Sequence, residues 1–158
     1  MTLFLWGGNM PIAKIQDELI ALYSEAEYIA LSPKKVSPSH PDHEIYNYFN
    51  SSLNRMRFAR RCMYYLATSA DGGFFVKDMV YDLDISEVAV RDMIKDSLPF
   101  KTLEKITNTN RYRMTEKSRQ MYLSYMLARM ESEREPYEKI GRLVQTLYTY
   151  QDVNKNNK

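Results

Sequence analysis

Hydrophobic residues recur at three- and four-residue steps along much of the chain, a spacing that is typical of amphipathic helices. The first such stripe begins after Pro11, a residue that fits a first helical turn, and predicts a helix over residues 11–31. Its apolar positions are Ile12, Ile15, Leu19, Leu22, Ala26 and Ile29. Residues 32–43 follow with three prolines and several small polar residues, so we expect an irregular connection there.

A second helical stripe predicts a helix over residues 44–68. Its apolar positions are Ile45, Phe49, Leu53, Met56, Met63 and Leu66. The Asp-Gly-Gly breaker at residues 71–73 ends this pattern, and the two phenylalanines at 74–75 are candidates for a very short strand. Helical spacing then returns over residues 76–83.

Two more short elements complete the middle of the chain. Ser86 is a good N-cap residue and predicts a helix over residues 86–97. The β-prone runs at 102–107 and 111–114 flank the Asn-Thr-Asn sequence at 108–110, so they predict a hairpin with its tip at these three residues.

The last third of the chain has helical spacing again. Thr115 predicts the N-cap of a helix that ends near Glu133, and Pro136 fits the first turn of a final helix. We therefore expect C-terminal helices over residues 115–150 and a tail over 151–158 whose end is frayed.

Composition narrows the class of protein. The chain has 158 residues, of which 44% are hydrophobic and 27% charged, so it is neither disordered nor a collagen nor a disulfide framework. One compact domain over 1–158 is expected at this length. The single cysteine, Cys62, favours a reducing compartment. The apolar stretch Met1–Trp6 is too short for an export signal or a membrane span, and no positive charge precedes it. These features predict a cytoplasmic protein.

The predicted order of helix, short strand, helix, turn, helix and hairpin is the layout of a winged helix-turn-helix. Apolar residues stand where two crossed helices must share a core, namely Met79, Val80, Leu83, Ile85, Val90 and Ile94. We therefore predict a mainly α fold with a small β-wing, in which residues 44–114 form the winged helix-turn-helix core.

The segment Tyr112–Arg119, with the sequence YRMTEKSR, resembles the end of the wing and the start of the next helix in MarR-type winged-helix regulators. Ser118 stands where that family usually has a glycine. The resemblance covers residues 58–134 and implies a homodimer joined through N- and C-terminal helices, here residues 11–43 and 115–150. It also implies a recognition helix in the major groove and wings on the minor groove, and it leaves room for a small-molecule effector.

The residues themselves also predict a dimer. The stretch from Met121 to Ala128 is apolar almost all round its predicted helix, which is more apolar surface than one small domain covers. A partner subunit is the natural cover. A chain of this length has a radius of gyration of about 15 Å, which allows two recognition helices roughly 34 Å apart, one turn of DNA.

Polar and basic side chains on the predicted recognition helix and wing are the candidates for contact with double-stranded DNA. The helix contributes Ser86, Glu87, Ala89, Arg91, Asp92 and Lys95, and the wing contributes Lys105, Arg111 and Arg113. Basic side chains bind guanine edges or phosphates, and a serine at a helix start binds phosphate. Arg111 and Arg113 alternate with apolar residues, so both project from one face toward a minor groove, and Arg111 is the strongest candidate.

The distribution of charge opposes this assignment in part. Net charge is only +2, and residues 73–98 contain six acidic residues against three basic ones, whereas residues 99–119 contain six basic against two acidic. An acidic helix-turn-helix repels phosphate unless its carboxylates point inward, cap helices or accept from cytosine. Two alternatives to a transcriptional regulator stay open: a winged-helix module that binds a basic protein, and a replication or partition factor of a mobile element.

We find no pattern typical of an enzyme. The chain lacks a Gly-rich phosphate loop and a Gly-x-Ser-x-Gly elbow, and Cys62 has no histidine near it in the sequence. We expect neither catalysis nor a cofactor. His40, His43 and Glu44 have a spacing that suits a metal site, but capping of a helix by Asp42 or His43 explains this segment better, and we expect no metal.

Overall fold

The computed structural model describes residues 11–31 and 37–156 of the chain. In this part of the chain the protein is mainly helical with one small antiparallel sheet, which confirms the expected mainly α class. The helices are α1 (Ile12–Leu31), α2 (His43–Phe49), α3 (Leu53–Thr68), α4 (Val76–Leu83), α5 (Glu87–Ser97) and α6 (Glu116–Asn156). The strands are β1 (Gly73–Phe75), β2 (Leu103–Lys105) and β3 (Arg111–Met114).

Contacts divide the chain into two compact units. Pro33–Leu127 forms what we call the mixed unit, which holds the sheet and helices α2 to α5. Met1–Ser32 and Ala128–Lys158 together form what we call the helical unit, whose described residues belong almost entirely to α1 and α6. None of the described helices has both the length and the hydrophobicity needed to cross a membrane.

The connection before α2 is only partly described. The expectations for Met1–Trp6 and for residues 32–36 concern positions outside the described residues. Further along, the Asp42 backbone N–H donates to His40 Nδ1 at 3.1 Å, and His43 Nδ1 lies 3.1 Å from the His40 carbonyl oxygen. Asp42 occupies the N-cap position of α2, but its side chain makes no capping hydrogen bond, so the expected side-chain cap by Asp42 is wrong.

The mixed unit has a hydrophobic core to which α3, α4, α5 and the sheet all contribute. Its fully buried members include Phe58 and Cys62 from α3, Phe74 from β1, Met79 from α4 and Val90 from α5. Burying a side chain of this size stabilises the fold by roughly 1.5–3 kcal/mol. The core therefore fixes the two short helices α4 and α5 against the sheet.

The short elements of the mixed unit follow the sequence prediction. Helix α4 has the predicted bounds, and Asp84 joins it to α5 in a left-handed backbone conformation with φ of 52°. Ser86 Oγ accepts a hydrogen bond from the Ala89 backbone N–H at 3.1 Å, so the predicted N-cap of α5 is confirmed. Thr115 Oγ1 likewise accepts from the Ser118 N–H at 3.3 Å at the start of α6.

The predicted hairpin forms, and it belongs to a sheet with the strand order β1-β3-β2. Strand β3 pairs with both neighbours, with Phe74 opposite Tyr112 and Leu103 opposite Met114. The buried Ser118 Oγ donates to the carbonyl oxygen of Thr102 at 2.6 Å, which ties the start of α6 to the beginning of the hairpin. This hydroxyl gives Ser118 a contact that a glycine would lack.

The single helix expected over residues 44–68 is wrong, because two neighbouring serines separate α2 from α3. Ser51 Oγ donates to the Tyr48 carbonyl oxygen at 2.6 Å at the end of α2. Ser52 Oγ accepts from the Arg55 N–H at 3.2 Å and caps the start of α3. Serine hydroxyls of this kind compete with the helical hydrogen bonds of the backbone, so the helix stops and restarts.

This interruption changes which side chains are buried. Leu53 was expected in the core, but it lies in the first turn of α3 and is exposed. Phe58 and Cys62 were absent from the predicted stripe and are fully buried. Because α2 and α3 are separate helices, their hydrophobic positions do not continue one periodic pattern. A single pattern extended across the break therefore identifies only some of the buried residues of α3.

The predicted break near Pro136 is also wrong. Helix α6 runs without interruption from Glu116 to Asn156, so it also includes part of the expected frayed tail. Proline removes the N–H that would bond to the carbonyl of Ser132, but both residues are exposed, so water can satisfy that carbonyl. The ion pair between Arg129 and Glu133, 2.8 Å from Nε to Oε1, supports the preceding turn.

The helical unit buries little hydrophobic surface. Ile15 and Leu143 are its buried hydrophobic residues among those described. Lys139 Nζ lies 3.3 Å from Glu18 Oε1, and an Arg129 N–H donates to the Ile29 carbonyl oxygen at 3.2 Å.

An ion pair with an added hydrogen bond joins α3 to α4. Arg61 Nη2 and the Tyr65 hydroxyl donate to Asp82 Oδ2 at 2.8 and 2.6 Å. Burial raises the pKa of the Asp82 carboxyl, but the hydrogen bonds from Tyr65 and Arg61 outweigh it, so this pKa lies below its ordinary value. The ionised carboxylate therefore stabilises the folded state.

We predict that Asp82→Asn lowers the free energy of unfolding by about 1–2 kcal/mol at pH 7. Because the folded-state pKa is depressed, this stabilisation exists above the unfolded pKa of about 3.9 and disappears as pH falls through the folded value. Urea unfolding at pH 7 and near pH 3 measures the change. Asp152→Asn on the exposed end of α6 is the control, and an equal penalty at both pH values would contradict the prediction.

Candidate nucleic-acid interface

Helix α5 presents one face to the core and the opposite face to solvent. Its buried residues are Val90, Met93, Ile94 and Ser97. Successive helical residues are rotated by about 100°, so Val88, Asp92 and Lys95 point most directly away from this buried face, and Arg91 lies at the edge of the outward face. All four are exposed. Three of them were predicted as contact residues, and Val88 was not.

A groove of about 500 Å³ lies where α5, the start of α4 and the hairpin meet. It brings together two predicted residues of α5, Glu87 and Arg91, with the predicted Lys105 of β2. It also contains Lys77 of α4, which was not among the predicted contact residues. The groove therefore collects three cationic side chains and one carboxylate.

The carboxylate in this groove is paired, but the pair is weak. Glu87 Oε1 lies 2.7 Å from Arg91 Nη2, and the two side chains are 60% and 59% exposed. An exposed pair four residues apart on a helix is worth about 0.3–0.5 kcal/mol. A phosphate or a guanine edge can therefore replace Glu87 as the partner of Arg91 at little cost.

The basic residues of the hairpin divide between two faces of the sheet. Strand residues alternate in direction, and β3 places Tyr112 on the same face as the buried Phe74. Lys105 is opposite Tyr112 in the register and lines the groove. Arg111 and Arg113 point to the other face, so the structure does not bring them together with α5.

Arg111, the strongest candidate from the sequence, is engaged within the protein. Its Nε and Nη2 donate to the two carboxylate oxygens of Asp71 at 2.8 and 2.9 Å, and Nη2 also donates to the Gly73 carbonyl oxygen at 2.6 Å. The guanidinium lies 4.5 Å from the ring centroid of Phe75, and the side chain is 22% exposed. Arg111 therefore anchors β3 to the turn before β1.

Arg113 makes a looser contact on the same face. Its Nε donates to Glu104 Oε1 at 2.8 Å, across from it on β2, and both side chains are partly exposed. Exposed cross-strand pairs of opposite charge contribute roughly 0.2–1 kcal/mol. Arg113 is therefore easier to recruit for a ligand than Arg111.

Most of the acidic residues that opposed a nucleic-acid site have partners inside the protein. Asp78 accepts a hydrogen bond from the Phe75 N–H at 2.8 Å at the start of α4, and Asp82 binds α3 as described. The Tyr48 hydroxyl donates to Asp96 at 3.0 Å, and burial together with this carboxylate raises the pKa of Tyr48 to about 12.

Three lysines near α5 carry charges that no ion pair in the described part of the chain offsets. Within the described residues, no ion pair involves Lys77, Lys95 or Lys105, and the same holds for the acidic Asp84 and Asp92. Asp78 and Asp96 also form no ion pair among the described residues, because their hydrogen bonds come from a backbone N–H and a neutral hydroxyl, so the three lysines lie among carboxylates that keep their charge.

Two predicted residues have minor positions at this surface. Ala89 is half-buried at the edge of α5, away from the groove. Ser86 uses its oxygen as an acceptor for the α5 cap, which leaves its hydroxyl hydrogen for a ligand.

Val88 and Lys77 were not predicted as contact residues, for different reasons. Val88 is apolar, whereas the predicted contacts on α5 were mainly polar or charged. Lys77 reaches the groove only through the packing of α4.

The lone cysteine does not form a reactive site. Cys62 is fully buried in the core, and burial raises the pKa of its thiol well above the ordinary value. A thiol in that state is a poor nucleophile.

Comparisons of the chain with models of protein families, with curated proteins and with solved structures give no match.

The contact between Arg111 and Asp71 generates a direct prediction. The guanidinium of Arg111, followed by the Gly73 N–H, lowers the pKa of the Asp71 carboxyl. We expect Arg111→Ala to raise that pKa toward its ordinary value of about 3.9. NMR titration of the Asp71 carboxyl carbon measures the change. Arg119→Ala, an arginine that pairs with Glu116, is the control, and an unchanged Asp71 titration in Arg111→Ala would contradict the assigned contact.

Proposed function

We propose that this protein is a homodimeric winged helix-turn-helix protein that binds double-stranded DNA and regulates transcription in the cytoplasm. In this proposal α5 lies in the major groove, and the hairpin of β2 and β3 is the wing that contacts phosphate or the minor groove. The regulatory role rests on the resemblance to MarR-type regulators, and the DNA-binding role rests on the surface described above.

The observation that carries the proposal is the state of the charges around α5. Lys77, Lys95 and Lys105 are available for a ligand, whereas Asp78 and Asp82 are used inside the fold. Phosphate contacts supply most of the affinity in nonspecific DNA binding, and lysines suit this contact as mobile point charges. Ion pairs offset the charges of Asp82 and Glu87, whereas the other carboxylates keep theirs, so the proposed binding relies on the three lysines.

The order of the elements supports the winged-helix assignment. Strand β1 leads directly into α4, a short turn at Asp84 joins α4 to α5, and the hairpin follows α5. Strand β1 also pairs with β3, so the hairpin is held beside the helix pair. This arrangement suits a helix for base contacts with a β-ribbon at its side.

The apolar surface of the helical unit supports a homodimer. Ile20, Tyr23 and Leu31 of α1 are exposed, and so are Met130 and Tyr148 of α6. A unit of two helices with this much exposed apolar surface is marginal alone, and a second copy would complete a four-helix arrangement. A symmetric dimer would also supply the second recognition helix for a palindromic site.

We expect the purified protein to sediment as a dimer. Ile20→Glu combined with Met130→Glu places charges at side chains that are 63% and 60% exposed, so it shifts the protein to monomer. Analytical ultracentrifugation measures the shift. Tyr81→Glu on the mixed unit is the matched control, because Tyr81 is also an exposed apolar residue and is expected to leave the dimer intact. A monomeric wild-type protein would contradict the proposed assembly.

We expect fluorescence anisotropy to show binding to duplex DNA that weakens steeply with salt. Lys77→Ala and Lys105→Ala each remove one phosphate contact per protomer and two per dimer, so each should lower the slope of log K against log salt by about 1.8. Lys155→Ala at the end of α6 is the control. Absence of binding at micromolar dimer and low salt would overturn the proposed function.

One further variant separates DNA binding from the alternative of a basic protein partner. Asp92→Lys replaces an unpaired carboxylate on the outward face of α5 with a cation. Tighter DNA binding with a steeper salt dependence supports the proposal. Unchanged or weaker DNA binding would favour the alternative, in which the acidic face of α5 binds a basic protein.

A further inference from the structure

Val88 is an exposed apolar residue on a face of α5 that is otherwise charged. It is 69% exposed, and it lies at the centre of the outward face of α5. Its neighbours on that face, Arg91, Asp92 and Lys95, are all charged. Val88 therefore presents an isolated apolar group in the middle of a charged surface.

Neither helix stability nor core packing explains this valine. A β-branched side chain loses rotamer freedom in a helix and is less favourable there than alanine. The core of the mixed unit is formed by the opposite side of α5, including Val90 and Ile94, so Val88 contributes nothing to it. The side chain of Val88 is therefore accessible for an apolar contact outside the chain.

We infer that Val88 reads thymine, by contact with the 5-methyl group that thymine presents in the major groove. The inference rests on the proposed function, in which α5 enters that groove. The methyl group of thymine is the apolar group that distinguishes this base on the major-groove edge, and small aliphatic side chains contact it. Val88 is thus a specificity-determining residue, and the charged residues beside it position the helix on phosphates and polar base edges.

The position of Val88 also predicts where the thymine lies. Val88 is in the first turn of α5, one residue beyond Glu87. Recognition helices contact base edges mainly through their N-terminal residues. The thymine should therefore be an internal, strongly preferred position of each half-site rather than part of the flanking sequence.

The test begins with selection of bound sequences from a random pool of DNA duplexes by the wild-type protein. Each thymine of the selected half-site is then replaced, one at a time and in both half-sites, by deoxyuridine, which lacks the methyl group. We expect one replacement to weaken binding about fourfold per half-site, the effect of losing one buried methyl-sized group.

Val88→Ala is the matching protein variant, and alanine favours the helix, so the fold is preserved. We expect Val88→Ala to bind the thymine and deoxyuridine duplexes equally, whereas Val88→Ile keeps the discrimination. Val153→Ala, an exposed valine of α6, is the control and should discriminate as wild type does. If the protein binds duplex DNA but Val88→Ala still distinguishes thymine from deoxyuridine, the role assigned to Val88 is wrong and the proposed function stands. If the wild-type protein binds no duplex DNA, both the role of Val88 and the proposed function are wrong.

Discussion

The pairing of β1 with β3 is the constraint on which the candidate site depends. Strand β1 passes directly into α4, so the same three residues that hold the hairpin also set the start of the helix pair. This pairing requires close approach at Gly73, where an added Cβ would lie 2.5 Å from the Ile106 side chain and 3.2 Å from the Tyr112 carbonyl oxygen. Arg111 reinforces the pairing through Asp71. The groove with its three cationic side chains exists because these contacts fix the hairpin beside α5.

Solvent exposure decides which charges are available for a ligand. Arg111 is largely buried between Asp71 and Phe75, so moving it to a phosphate would break several hydrogen bonds and a stacking contact. Arg91 and Glu87 are both well exposed, and water screens their attraction. Arg111 thus has a structural role, whereas the guanidinium of Arg91 is accessible to a ligand. A tally of residue types along the sequence treats the two as equal.

Features that depend on neighbouring residues were predictable from the sequence. The cap at Ser86, the breaker at residues 71–73 and the hairpin all arise from local turn and capping chemistry, and they appear where predicted. The break between α2 and α3 was also local, but the apolar stripe across it concealed the two serines. The partners of Asp82 and the place of Lys77 in the groove could not be predicted, because both depend on how α3, α4 and the sheet pack together.

Cys62 illustrates a consequence of the tight packing between α3 and the sheet. Its thiol is completely inaccessible and its ionisation is suppressed by burial, so alkylating reagents react with it only when the core opens. The chain thereby contains an intrinsic reporter of local unfolding, at the residue where α3 faces the rest of the core. The rate of labelling of this one sulfur atom follows the population of open conformations, without any added probe.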